Sequence, residues 1–320
     1  MAILSDTSGP GIKGVALYDS HTNTPIRMSQ INGVTRVPTS AVLVDSSGNT
    51  LTSTTTPAQT DPGIVVRPVP SNFEMDVKKG LVTGHTSFDK WGRLNNIDTT
   101  TGIVPPIDVW NGATIYTGFP TGAAETIEVF SADNNDGAGT NAGLLSLRLF
   151  GLDASGVEQE VDVDLNGTTP VPTTETWTRM PRMRGLTAGS NDFNLGAITA
   201  RHTTTPANIF AVMPVNTNRT HIACWTIPAA KTAYLKKISW HMTRASGAAG
   251  SATVALMCRG NGGVWEQTLS TDISTGSTPP LELDYGTSFA ALTDLSIRVI
   301  DVSDNDTSVS AIITGIYVDD

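Results

Sequence analysis

From residue 221 to the C-terminus the chain alternates apolar and polar residues in short runs, each closed by Gly, Pro, Asn or Asp. That period-two pattern is what a half-buried strand needs, because successive side chains leave a strand on opposite faces. The runs are 221–227, 234–242, 252–259, 264–269, 281–284, 295–301 and 308–318. In the last of them Val309, Ala311 and Ile313 share one face. Only Phe289 to Leu292 hints at a single helical turn. Short strands at near-regular spacing, with turn residues between them, are the signature of a β-sandwich or jelly roll.

Residues 122–215 repeat the pattern and predict a first sandwich ahead of the second at 216–320. Glu125 to Phe130 alternates, as do Leu145, Leu147 and Leu149 around Ser146 and Arg148. Val161, Val163 and Leu165 alternate with Asp162 and Asp164, and Asn166-Gly167 then predicts a tight hairpin turn. Gly156-Val157-Glu158-Gln159 is echoed by Gly263-Val264-Trp265-Glu266-Gln267. Duplication produces such an echo, and so does hairpin chemistry alone. Composition agrees with an all-β chain: charged residues are 16%, and 30 Gly and 18 Pro punctuate turns and suppress helix.

Residues 76–121 read as an aromatic-rich connecting region, with His85, Phe88, Trp91, Trp110, Tyr116 and Phe119 among turn residues. Aromatics outside regular strands anchor a loop onto a core or a partner. Residues 1–75 read as an extended N-terminal arm. Thr60-Asp61-Pro62-Gly63 is a strong turn signal, and the small, Thr-rich stretch before it has no core. Apolar pieces such as Val15 to Tyr18 and Ala41 to Val44 favour an arm that orders on neighbouring subunits over a flexible leader.

Little in the chain points to catalysis. None of the five histidines, His21, His85, His202, His221 and His241, stands at metal-ligand spacing from another His or a Cys. No nucleophile-elbow motif occurs, and Gly137 to Gly143 fits no phosphate-binding fingerprint. Asp133 to Gly137 and Asp301 to Asp306 carry oxygen ligands of the kind calcium takes, without EF-hand spacing, and are expected to be solvated hairpin loops. Glu158, Glu160, Asp162 and Asp164 share a strand face, as acids on the wet side of a sandwich do. The expectation is therefore no enzyme, no catalytic, cofactor-binding or metal-binding residue, and no cofactor.

The net charge of -10 argues against nucleic acid as a partner. One small basic cluster stands out, Arg179, Arg182 and Arg184, expected as a strand edge paired with nearby acids rather than an anion site. No apolar run is long enough to span a bilayer, and Met1 to Pro10 lacks the pattern of an export signal, so a soluble protein made in a cytoplasm is expected. The sequons at Asn166, Asn218 and Asn305 then carry no weight. Cys224 and Cys258 fall inside apolar strand patterns and are expected as buried free thiols.

The runs GLVTGHTSFDKWGR at 80–93, DVW at 108–110, GFP at 118–120 and AAETIEVFS at 123–131 resemble a group of virion structural proteins of tailed bacteriophages. The resemblance continues through LNGTTPV at 165–171 and IPAAKTAYLKK at 227–237, and spans about residues 80–260. It implies a protein of the virion, assembled in the bacterial host cytoplasm, with other virion proteins (capsid, neck or tail subunits) as partners. Head decoration or a head–neck collar is favoured, because no long repetitive shaft is present. Repeated contacts in a particle imply a homo-oligomer, a trimer as the first expectation. The alternative is a receptor- or carbohydrate-binding tail or fibre module, for which Trp91, Trp110, Trp225, Trp240 and Trp265 are the available platforms. Trp240 alternates with Ile238 and Met242, which places it in a core. A glycan hydrolase would need two close carboxylates in a cleft, and no spacing singles out such a pair.

Overall fold

The computed structural model describes residues 73–137, 141–245, 249–276 and 280–320, together with the backbone of five short strands nearer the N-terminus. The chain divides into two units, Met1–Ser71 and Asn72–Asp320. In the first unit β1 (Ile3–Leu4), β2 (Val15–Tyr18) and β3 (Pro25–Ile26) pair antiparallel in that order, and β4 (Gln30–Ile31) pairs with β5 (Val34–Thr35). Strands of two to four residues match the apolar piece expected at 15–18. The piece expected at 41–44 and the turn at 60–63 lie outside the described residues. Among the described residues the fold is all-β, an N-terminal arm of short strands followed by two sandwiches, apart from one short helix, α1 (Phe73–Lys78).

The region expected to be a connection supplies a strand of the second sandwich. β6 (His85–Ile97) pairs along its length with the last strand of the chain, and β7 (Ile107–Asp108) adds two residues to the opposite sheet. On β6 the positions facing the sandwich interior are Phe88, Lys90, Gly92 and Leu94, as their register with Gly315, Ile313, Ala311 and Val309 shows. Lys90 and Gly92 break the apolar alternation, which is why the sequence pattern reads as a loop. Gly92 is required by close approach: a Cβ there would lie 2.5 Å from the Ala223 amide nitrogen and 2.5 Å from the Val109 carbonyl oxygen. Gly92→Ala is expected to cost about 1–3 kcal/mol through overpacking, and a thermal melt within error of wild type would refute that packing.

Between β7 and the remainder of the second sandwich the chain inserts the first one. Its strands are β8 (Glu125–Ser131), β9 (Leu144–Leu152), β10 (Glu158–Asp164), β11 (Val171–Trp177), β12 (Arg179–Ala188), β13 (Ile198–His202) and β14 (Ile209–Met213). They form two antiparallel sheets, β10-β9-β12 and β11-β8-β13-β14. Ile127, Val129, Leu147, Leu149, Trp177 and Met183, all fully buried, fill the space between them. Alternation made these faces legible. The Asn166-Gly167 expectation was wrong in one respect, since β10 and β11 belong to different sheets. Gly167 does take the left-handed φ of +60°, but the turn carries the chain across the sandwich. Asn134 fixes that crossing, accepting from the Thr168 hydroxyl at 2.7 Å, while the Gly167 amide donates to the Asp136 carbonyl at 2.6 Å.

The second sandwich is completed by β15 (Cys224–Thr226), β16 (Lys231–Arg244), β17 (Ser251–Arg259), β18 (Glu266–Ser274), β19 (Leu281–Phe289), β20 (Asp294–Val302) and β21 (Thr307–Asp319). One sheet runs β19-β16-β21-β6 and the other β15-β20-β17-β18, with β7 also on β20. Leu94, Ile97, Trp225, Leu235, Ile238 and Trp240 pack between them. The helical turn hinted at 289–292 is instead the end of β19 and the turn that follows. On β16 the register slips between Leu235 and Lys237. That bulge lets two adjacent lysines both leave the core, Lys236 to Glu74 on α1 and Lys237 to Glu282 at 3.1 Å.

Candidate functional site

The two sandwiches meet in a seam built from the chain's two crossings between them. Trp110, Tyr116 and Phe119 come from the outgoing crossing and Ile222 and Cys224 from the return, forming a third apolar cluster. Trp110 stands edge-on to Tyr116 at 4.9 Å, and Tyr116 edge-on to Phe119 at 4.7 Å. Both polar handles are used. The Trp110 indole donates to the Thr114 carbonyl at 2.7 Å, and the Tyr116 hydroxyl to the Phe210 carbonyl of the first sandwich at 2.6 Å. The aromatics at 110–119 thus anchor a crossing onto a core, as their sequence context implied.

Two buried carboxylates bracket this cluster. Asp108 accepts from the Ser296 hydroxyl at 2.7 Å, from Arg298 Nε at 2.8 Å and from the Tyr116 amide at 2.8 Å. Asp294, 2% exposed, holds Arg179 of the first sandwich at 2.9 Å and Arg259 of the second at 2.5 Å, and accepts from the Thr226 hydroxyl at 2.5 Å. Arg179 also donates to the Pro120 and Thr178 carbonyls, and both guanidinium groups lie over the Phe119 ring. Each charge is paired and its remaining donors are largely filled, the condition under which a buried ion pair is tolerated.

Beside the seam opens a cleft of about 470 Å³ whose walls include Tyr116, Phe119, Glu125, His202, Arg259 and Trp265. A smaller hollow of about 200 Å³, floored by Arg179 and Asp294, lies across the 120–122 segment. His202 is buried and stacks on Phe210, and its Nδ1 lies 2.7 Å from Glu125. Thr204 donates to the same carboxylate. A nucleophilic triad needs one ring nitrogen on the acid and the other on the nucleophile. Here Glu125 and Thr204 both stand on the Nδ1 side, and Nε2 is buried without a hydrogen-bond partner. The grouping ties β13 to β8 and holds no activated nucleophile.

The remaining candidates fall elsewhere. The loop at 133–137 is solvated only in part: Asn134 and Asn135 are exposed as expected, but Asp136 is fully buried. Its carboxylate accepts from the Ser131 hydroxyl at 2.6 Å and from the amides of Leu144, Leu195 and Gly196 at 2.8, 2.9 and 2.8 Å. Hydrogen-bond donors already occupy the oxygens a cation would take, and no group of three metal-ligating side chains occurs among the described residues. Alternating polarity cannot reveal this, because the donors come from segments far apart in sequence. In the 301–306 loop Asn305 accepts from Thr99, and Asp304 pairs with Arg244 at 3.3 Å. Glu160 and Asp162 share Arg148 on the solvent side of β10, and Glu158 pairs with Lys231.

Of the basic cluster only Arg179 finds an acid. Arg182 lies over Phe150 at 4.8 Å, and Arg184 bridges to Arg219 through backbone. Trp110, Trp225 and Trp240 are buried, so they offer no binding platform, while Trp91 and Trp265 are partly exposed. Both cysteines are free; Cys224 is buried beside Ser296 and Cys258 only partly so, accepting from Thr268 at 3.0 Å. Burial pushes the Cys224 thiol well up. In the folded protein a thiol reagent is therefore expected to modify Cys258 and spare Cys224 until denaturant is added; two reactive thiols in native buffer would contradict this.

No family model and no characterised protein matches the chain. Among solved structures, infectious bursal disease virus Gt strain is 10% identical, with 74% of this chain and 73% of that one covered and a TM-score of 0.17. The VP2 subviral particle of the same virus is 12% identical, over 73% and 72%, also at 0.17. Values this low carry no argument about this chain.

Proposed function

We propose that the chain is a non-enzymatic structural protein of a tailed-phage virion, attached to the particle exterior through its N-terminal arm, as head decoration or as part of the head–neck collar. The observation that carries this reading is the seam. Arg179 of the first sandwich is committed to Asp294 of the second, the pairs Arg259–Asp294 and Arg298–Asp108 brace the second sandwich beside it, and the aromatics fill the joint. The runs that resemble phage virion proteins fall on that construction: Gly92 on β6, Asp108 and Trp110 at the outgoing crossing, Phe119 and Pro120 beside Arg179. A rigid β block behind an arm of short strands suits a part that is placed and held. Partners are capsid, neck or tail subunits and further copies of the chain, a trimer being the first expectation, with no role for nucleic acid or a membrane. No helix among the described residues is long and apolar enough to cross a membrane.

A receptor- or carbohydrate-binding tail module is the second reading, and the cleft wall at Trp265 is the observation in its favour. That indole already carries Arg259 at 4.8 Å and Arg298 at 5.8 Å, which weakens it as a sugar platform. Peptide mass spectrometry on purified particles, scaled to the major capsid protein, tests the primary reading. A copy number rivalling the capsid protein supports decoration, a small symmetric number supports the collar, and absence from particles overturns the proposal. Truncation tests the arm. α1 is tied to β16 through Glu74 and Lys236, so the cut belongs after Ser71 rather than after Met75. Deleting residues 1–71 is expected to leave the sandwiches folded and abolish incorporation into particles; equal incorporation would refute the anchoring role.

A further inference from the structure

Ten arginines lie among the described residues, and six of them, Arg148, Arg179, Arg201, Arg244, Arg259 and Arg298, pair with carboxylates of their own chain. The other four, Arg93, Arg182, Arg184 and Arg219, have none, and all are exposed. They form one group where β6, β12 and the return crossing converge. Arg184 and Arg219 are partners in an antiparallel bridge. The Arg219 guanidinium lies over Trp91 at 5.6 Å, and that ring meets His221 at 4.2 Å. Arg93 stands two residues along the same strand, its Nε on Asn95 at 2.9 Å. The cations repel one another: burial and then Arg219 and Arg184 lower the Arg182 pKa, and burial and then Arg219 and Arg93 lower that of His221. Glu160, itself paired with Arg148, acts on Arg182 only from a distance; in a chain with 30 acids against 20 basic residues, four arginines left together without an ion pair are a conspicuous local reversal of sign.

Apolar surface adjoins them. Leu186, Phe193 and Val215 are 42%, 47% and 46% exposed. Their segments are stitched to the arginines by backbone and amide bonds: Gly185 donates to the Asn218 carbonyl at 2.8 Å, and the Asn194 amide to Asn218 Oδ1 at 2.9 Å. Asp192, in the same loops, makes no ion pair. Arginine and aromatic side chains beside exposed aliphatics are the composition of a protein–protein interface, whereas a phosphate-tracking groove has no use for Leu186, Phe193 and Val215.

We propose that this patch is a docking surface for a second copy of the chain, whose surplus carboxylates supply the partners these four arginines lack within their own. A two-fold axis through the patch would set arginine against arginine, so the patch meets a different, acidic face of the neighbour; repeated head to tail, that contact generates a ring or an open array. This identification of the surface rests on the reading of the chain as an assembling particle component.

Sedimentation velocity on the full-length protein, from about 1 to about 100 µM in about 50 mM and about 500 mM salt, tests it. Wild type is expected to self-associate at low salt and dissociate at high salt. Arg184→Glu with Arg219→Glu is expected to weaken association about tenfold or more, with the circular dichroism spectrum unchanged. Should that variant misfold, Arg184→Gln with Arg219→Gln asks the same question with less repulsion. A wild type that stays monomeric throughout, or a folded variant that associates like wild type, overturns the proposal. So does a variant that keeps self-association but loses binding to a fluorescent oligonucleotide, because the patch would then serve a polyanion. Particle mass spectrometry reads the virion assignment independently, so the chain can be found in virions while this contact fails.

Discussion

Asp136→Ala is expected to destabilise the first sandwich by about 3–5 kcal/mol. The wild-type carboxylate is fully buried and gathers the Ser131 hydroxyl with three backbone amides, from the start of β9 and from the segment leading into β13. Alanine leaves those amides in the interior without an acceptor. Each lost bond to an ionised group is worth about 1.5–3 kcal/mol before relaxation. Asparagine restores one oxygen but turns its own amide hydrogens toward other donors, so Asp136→Asn recovers only part of the loss. In a urea titration the alanine midpoint should fall by about 1 M or more, and a loss below about 1 kcal/mol would show that water replaces the carboxylate. Because the oxygens face donors, calcium or a chelator is expected to leave the wild-type transition unmoved.

Asp294→Ala acts on the joint between the sandwiches. It strands Arg179 and Arg259, 14% and 12% exposed, in a site organised around a negative charge. Removing one member of a buried ionic group costs about 3–5 kcal/mol, and here the two arginines come from different sandwiches. Calorimetry should therefore show not only a lower transition but its separation into two, as each sandwich melts on its own core. A single transition close to wild type would mean that Trp110, Tyr116 and Phe119 hold the joint without the ion pairs.

Strands whose buried face is made of aliphatics were legible because their alternation is written in the chain. β9, β17 and β21 lie within a few residues of where Leu147 and Leu149, Val254 and Leu256, and Val309 to Ile313 place them. β6 was missed because Lys90 and Gly92 occupy two of its inward positions. Lys90 sits at a sheet edge, where burial pushes its ammonium down to about 8, and Gly92 faces backbone that no local pattern announces. The Asn166-Gly167 turn was recognised as a turn but not as a crossing, since dipeptide chemistry sets φ and leaves open which sheet receives the next strand.

The candidate sites divide in the same way. The wet row of Glu158, Glu160, Asp162 and Asp164 follows from strand geometry and is found. The fates of Asp136, Asp294 and the four unpaired arginines do not follow from anything local. A carboxylate in a turn-rich loop has the same sequence context whether it meets solvent, buried amides or an arginine from another sandwich. The amino-acid sequence by itself determined the all-β class, the strands with aliphatic buried faces and the sparse charge, because periodicity and composition act over neighbouring residues. Only the tertiary structure decided that residues 85–97 close the second sandwich, that Asp294 joins Arg179 to Arg259, and that Arg93, Arg182, Arg184 and Arg219 share one face. Those outcomes depend on pairings between residues as far apart as His85 and Val318, which are set by how the sheets stack and leave no mark on the residues at either end.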